Sequence, residues 1–340
     1  MTIDIFVSTE TFGDASPDSR LVLRESGHVV EFNNKGRKLT PKEVAYEARD
    51  SKVLIAGTEN LGPLVSGSMA LKMIARVGVG LDGVPLELCQ QKGIVVCWTP
   101  DAVTMAVAEL TIGLMLATTR YVVQKDKEIR QGQWTREFGL RLEESVVGIV
   151  GFGRIGFEVA RLLTSFKPKQ LLVHDIQPKK HQIAYLKECG MNIREGSFDE
   201  VIGTSDILSL HVPLYRETKR MIDIEVLKTM PKGAFLLNTS RGGVIDENAL
   251  YQSLTSGHLG GAALDVFEHE PYTGSLKNLN NLVLTPHLGS CSVDCRARME
   301  KEAAEEAIRF LRDAPLVQEV PLEEYQYQVD QEVDSTDLAQ

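Results

Sequence analysis

The stretch "SVVGIVGFGRIGFEVARLL", residues 145–163, decides how the chain is read. An apolar run of strand character leads into Gly151, Gly153 and Gly156, and apolar residues at helical spacing follow. The G-x-G-x-x-G spacing is common by itself and acquires meaning between a strand and a helix. Gly151 permits the tight turn, Gly153 lets backbone approach a pyrophosphate, and Gly156 lets helix and strand pack closely. The amides of the helix start, around Arg154 and Ile155, would then face phosphates. The next strand candidate, "LLVHD", ends at Asp175, nineteen residues beyond Gly156. A carboxylate there accepts hydrogen bonds from ribose hydroxyls and repels a 2′-phosphate, so the expected cofactor is NAD. Lys179 and Lys180 follow and weaken that preference.

Outward from this loop the pattern repeats. Before it, "IDIFVST", "VVEFN", "VLIAG", "KMIARVG" and "GIVVCW" read as strands, with helical stretches between them. After it, "ILSLHV", "FLLNTS", "GAALDVF" and "LVLTP" continue the series. Strands alternating with helices predict an α/β protein with parallel sheets. A helix apolar on nearly every side is expected from about Ala102 to Tyr121, joining two domains, and a last helix is expected to end near Asp313. The segment 316–340 carries seven acidic residues and no basic one, and is expected to be a loosely ordered acidic tail.

The bulk numbers bound the function. The 340 residues are 43% hydrophobic and 25% charged, ordinary values for a soluble globular protein of about two domains. A net charge of −10 argues against nucleic acid or an anionic membrane as partner. The N-terminus has no basic flank or long apolar run, so no signal peptide is expected. The stretch 106–119 falls short of the ~20 apolar residues of a membrane span and contains Glu109. Five scattered cysteines suggest reduced thiols in a cytoplasmic protein.

Three strand ends carry the chemistry. "LLNTSRGG" presents Arg241, "DVFEHEP" presents Glu270, and "LTPHLGS" presents His287. In open α/β sheets ligands bind at the carboxyl ends of strands. Hydride transfer to or from an alcohol carbon needs a group that exchanges the hydroxyl proton, and histidine suits that near neutral pH. A carboxylate on the far imidazole nitrogen stabilises the imidazolium, and a guanidinium grips a substrate carboxylate in two prongs. Taken singly, each residue reads more readily as a surface ion pair, a solvated turn or a structural histidine; together, downstream of a dinucleotide loop, they point to a dehydrogenase. His287, Cys291 and Cys295 are also evenly spaced, as a metal site would be on one helix. Pro286, Gly289 and Ser290 interrupt any such helix, which starts only near Ser292, so no metal is expected.

The motifs "GIVGFGRIG", "HVPLYRETKRMI", "NTSRGGVIDENAL", "GAALDVFEHEP" and "TPHLGS", in this order, resemble the D-isomer-specific 2-hydroxyacid dehydrogenases over roughly residues 50–313. The resemblance implies two Rossmann-like, doubly wound domains, the substrate domain discontinuous. Its parts would be residues 1–101 and 291–315, with the NAD-binding domain at 102–290. It implies Arg241, Glu270 and His287 as the catalytic set; Glu268 and His269 lie too early for the family's glutamate, which directly precedes the proline. The implied cofactor contacts add His211, Val212, Pro213, Thr218, Thr239, Ser240, Arg241, Asp265, His287, Gly289 and Ser290 to the glycine loop and Asp175. Asp265 would orient the carboxamide end of the cofactor. The implied substrate contacts are Val79, Gly80, Arg241 and His287, and a homodimer is usual in the family.

Within it, "ARVGVGLDGVP" and "TPDAVTMAVAELTIGLMLATTR" look most like the 3-phosphoglycerate dehydrogenase branch. The chain departs from that branch at Val79, Gly83 and Pro85, and has Ile55, Ala56 and Gly57 where the branch often carries arginine. The implied reaction interconverts a D-2-hydroxy acid and its 2-keto acid. A hydroxypyruvate or glyoxylate reductase is the alternative, and an NAD-sensing binding module a further one.

Overall fold

Strands buried on both faces need continuous apolar runs, because neither side of the pleat meets water. The runs in this chain meet that demand. The structure, a computed structural model, describes residues 3–328. Its chain divides into two units, Met1–Val103 with Ser290–Gln340, and Thr104–Gly289.

The first unit holds a five-stranded sheet. Its strands are β1 (Ile5–Val7), β2 (Val30–Phe32), β3 (Val53–Ala56), β4 (Met73–Arg76) and β5 (Val95–Cys97). Their order is β2-β1-β3-β4-β5, and all pairings are parallel. Phe6, Leu54, Ala56, Ile74 and Val96 share one face with Val44, Leu64 and Leu86 from helices. Residues of opposite parity, Ile55 and Met73 among them, are buried as well. The helix Val293–Leu311 packs on β3 and β4.

The second unit holds seven strands. They are β6 (Val146–Val150), β7 (Gln170–His174), β8 (Ile193–Glu195), β9 (Ile207–Leu210), β10 (Phe235–Asn238), β11 (Gly261–Leu264) and β12 (Leu282–Leu284). The order β12-β11-β10-β9-β6-β7-β8 is again wholly parallel. Two cores flank the sheet by strand parity: Val150, Leu208 and Leu236 face one, Ile149, Ile207 and Leu237 the other. The chain winds from β6 outward to β8, then returns to β9 on the other side of β6. That reversal is the switch point where such sheets open a crevice.

Two expectations change. The apolar helix runs Pro100–Thr119, and Tyr121 leaves it in a left-handed conformation (φ 55°) before a second helix, Val122–Arg130. At 20 residues it is long and apolar enough to cross a membrane, yet 56% of its apolar window is buried inside the protein, as in a core helix. The expected acidic tail is not loose where it is described. Trp98 N donates to Gln318 O and Val320 N to Val96 O, so 318–320 lies antiparallel on β5. An edge strand otherwise presents unpaired backbone. Glu306, buried, accepts the N–H groups of Val317 and Gln318, and a short helix, Leu322–Tyr327, follows. Residues 329–340, the rest of that expected tail, lie outside the described residues.

Candidate active site

The glycine loop sits at the switch point of the seven-stranded sheet. Gly151 has φ 88°, and a Cβ there would stand 2.5 Å from His211 O, so the ends of β6 and β9 approach as only glycine allows. A Cβ on Gly156 would meet Gly151 O at 2.1 Å, which explains the third glycine by packing alone. Gly153 differs, because nothing of the protein lies within 4 Å of its Cβ position. It begins the helix Arg154–Leu163, whose first turn no side chain caps. Open space before uncapped helix amides suits a bound phosphate. Asp175 closes the other side: its Oδ2 accepts Phe152 N at 2.7 Å and its Oδ1 accepts Gln177 N at 2.8 Å. Lys179 Nζ lies 3.4 Å from Oδ1, which the sequence foreshadows only as a nearby charge.

His211 follows β9 directly, with Nε2 2.9 Å from Ser209 Oγ. Its Nδ1 is buried without a partner, and desolvation pushes its pKa down to about 3. It is a neutral ring. Thr218 donates to Pro213 O at 2.6 Å and accepts Tyr215 N, closing the 213–218 turn.

At the far strands, the Nδ1 of His287 lies 2.8 Å from Oε2 of Glu270. Glu270 Oε1 accepts Phe267 N at 3.1 Å, which turns the carboxylate toward the ring. With Nδ1–H committed to a carboxylate, Nε2 is the nitrogen that can exchange protons. His287 itself is left-handed, φ 54°, a conformation rare outside glycine and found where surrounding bonds enforce it. Asp265, 1% exposed, supplies the enforcement. Its Oδ1 accepts Thr285 Oγ1 at 2.6 Å and Leu288 N at 2.7 Å, and its Oδ2 accepts Gly289 N at 2.8 Å. Burial raises its pKa while these bonds and His287 oppose the rise.

Arg241 stands on a turn built by Asn238, whose side chain accepts Ser240 N and Ser240 Oγ and donates to Arg241 O. Thr239 Oγ1 pairs with Thr111 Oγ1 at 2.8 Å, a link that no motif announces. A Cβ on Gly242 would stand 1.9 Å from the carbonyl carbon of Phe267. That contact presses the Arg241 turn against the segment leading to Glu270. Glu268, by contrast, pairs with Arg220 at 3.1 Å. Val79, Gly80 and Ser290 belong to the first unit.

The family model for the "D-isomer specific 2-hydroxyacid dehydrogenase, NAD binding domain" matches residues 112–289. The glyoxylate reductase of Thermofilum pendens is 37% identical over 301 residues, 86% of this chain and 87% of that protein. The chain belongs to the D-isomer-specific 2-hydroxyacid dehydrogenases. The D-3-phosphoglycerate dehydrogenase of Methanocaldococcus jannaschii is 34% identical over 87% of this chain but only 56% of that longer protein. Among solved structures, the TT0316 protein of Thermus thermophilus matches with a TM-score of 0.83 at 34% identity, covering 94% of this chain and all of that one.

This dehydrogenase is therefore an NAD-dependent oxidoreductase, and the open space before Gly153 fits its dinucleotide. Cys295 is buried, its thiol pushed up to about 11 by desolvation, and among the described residues no group of three His, Cys, Asp or Glu could hold a metal.

Proposed function

We propose that the enzyme interconverts a small unphosphorylated 2-keto acid and its D-2-hydroxy acid, with glyoxylate and hydroxypyruvate as the substrate class. The 2.8 Å His287–Glu270 pair carries the reaction type, and the packing at Gly83 carries the choice of substrate. When bound, the dinucleotide supplies or takes up the hydride at its nicotinamide. Arg241 grips the substrate carboxylate. His287 Nε2 gives a proton to the keto oxygen during reduction and receives the hydroxyl proton during oxidation. Glu270 holds the ring through Nδ1–H, and Val79 and Gly80 contact the substrate through their backbone.

The phosphoglycerate reading is the second one, supported by the Methanocaldococcus relative. Against it weighs the packing at Gly83, where a Cβ would stand 2.2 Å from Glu59 O, so the branch's asparagine has no room. Ile55 and Ala56, where the branch often has arginine, are fully buried in β3. Comparing kcat/KM for glyoxylate, hydroxypyruvate, pyruvate and 3-phosphohydroxypyruvate tests the choice. His287→Ala should lower kcat severely with little change in NADH affinity, and near wild-type turnover would remove His287 from this role. No turnover across the panel, with tight NADH binding, would favour a binding module instead.

We also infer a cytoplasmic homodimer. Trp134 and Phe138 are 78% and 101% exposed in the arm that follows Tyr121, and Val122, Val123 and Ile129 of the same arm are exposed as well. An apolar surface of this kind marks an interaction site. Light scattering should show a dimer for the wild type and a monomer for Trp134→Ser with Phe138→Ser.

A further inference from the structure

Within the first unit, the turn that follows β4 is held by two side chains. The largely buried Arg76 donates through Nε to Gly80 O at 2.9 Å and through Nη1 to Val77 O. The second is Gln328, more than 240 residues later in the chain. Its Oε1 accepts Leu86 N at 2.7 Å, and its Nε2 donates to Leu81 O at 2.9 Å and to Val84 O. One carboxamide thus meets three backbone groups of the 81–86 turn, acceptor to donor and donor to acceptors. None of these contacts uses the N–H groups of Val79 or Gly80.

The route to Gln328 is itself anchored. Residues 318–320 pair with β5, and Val320 and Tyr325 join the core cluster against which Val79 and Leu81 also pack. The turn and the C-terminal segment therefore share the bonds of the Gln328 side chain and a hydrophobic floor. Ordering a loop in advance lowers the entropy lost when it binds a ligand.

We propose that Gln328 is a positioning residue for substrate: by clasping the 81–86 turn it holds the Val79–Gly80 backbone in the conformation that receives the keto acid. The inference rests on the assignment of Val79 and Gly80 to the substrate made above. The C-terminal segment is then part of the substrate apparatus, although it touches no reacting atom.

The test uses the full chain and compares Gln328→Ala, Gln328→Glu and Gly80→Val. KM and kcat are measured for glyoxylate and hydroxypyruvate at saturating NADH, together with NADH affinity by fluorescence and the melting temperature. Gln328→Ala should raise KM about tenfold, the worth of one or two net hydrogen bonds, with kcat and NADH affinity within about twofold. Gln328→Glu keeps the acceptor for Leu86 N but sets a carboxylate against two carbonyls, so KM should rise at least as much. A lower melting temperature with unchanged KM would reduce Gln328 to a tether and overturn the proposal. If Gly80→Val raises KM while both Gln328 variants leave it unchanged, the clasp is wrong and the substrate loop stands. If none of the three changes KM, the loop assignment fails and the clasp falls with it.

Discussion

The carboxylate of Asp265 accepts the backbone N–H of Gly289 at 2.8 Å while its other oxygen holds Leu288 N and the Thr285 hydroxyl, so one buried side chain fixes the backbone on both sides of His287. Asp265→Ala would leave two amides and a hydroxyl without this acceptor, the Gly289 amide among them buried, at a cost of roughly 1–3 kcal/mol for the buried one. The left-handed backbone of His287 would then relax. We expect a clear loss of stability in urea unfolding together with a fall of about a hundredfold in kcat. A variant that melts early yet turns over normally would show that the loop does not need this anchor.

Glu270 acts on the ring of His287 and not on its backbone. Glu270→Ala should therefore separate from Asp265→Ala in its signature. Without the carboxylate the imidazole loses its fixed tautomer and orientation, and kcat should drop by on the order of a hundredfold, within the usual range for a general acid–base partner. Both side chains are about one-third exposed, so unfolding free energy should barely change. Equal NADH affinity in wild type and variant would complete the pattern. A large stability loss would contradict it.

The parts of this enzyme that sequence reading reached are those written in local pattern. Long apolar runs mark β6, β7 and β9 to β12, and the order of motifs places Glu270 and His287 well enough that a 2.8 Å bond joins them. What escapes is instructive. The strand β8, "IRE", is three residues at a sheet edge, and the helix Gly62–Gly67 begins with Gly-Pro, so neither shows a period. The bonds of the Asp265 carboxylate to Thr285, Leu288 and Gly289 are not announced by any motif. A side chain that binds backbone more than twenty residues away leaves no trace in periodicity. The same holds for Gln328, which an acidic segment without periodicity conceals.

Lys179 supplies a prediction about cofactor choice. Its ammonium lies 3.4 Å from Asp175 Oδ1, with both side chains mostly buried, so the charge that should repel a 2′-phosphate is partly offset. Two unit charges near a protein surface interact by about 4 kcal/mol at 4 Å, and a part of that is enough to matter. Lys179→Met should widen the ratio of NADPH to NADH dissociation constants by on the order of tenfold, read from nicotinamide fluorescence without turnover. An unchanged ratio would mean that Asp175 discriminates only through the geometry set by its hydrogen bonds to Phe152 and Gln177.

His211 predicts how stability follows pH. Its Nδ1 is buried and its Nε2 lies beside Ser209, and desolvation depresses its pKa to about 3. In the unfolded chain a histidine titrates near 6.5. Above that pH the ring is neutral in both states, and its contribution to stability is fully present. As pH falls from about 6.5 toward 3, the unfolded chain takes up a proton that the native ring refuses, and stability is lost. The limiting slope is about 1.4 kcal/mol per pH unit. His211→Asn removes the titrating group. It should be less stable than wild type at pH 7, because Ser209 and the packing are disturbed, yet the difference should shrink by about 2 kcal/mol by pH 5. Urea midpoints at pH 7, 6 and 5 decide the matter. Parallel curves for the two proteins would place the acid sensitivity elsewhere and show that the His211 ring reaches solvent on the time scale of titration.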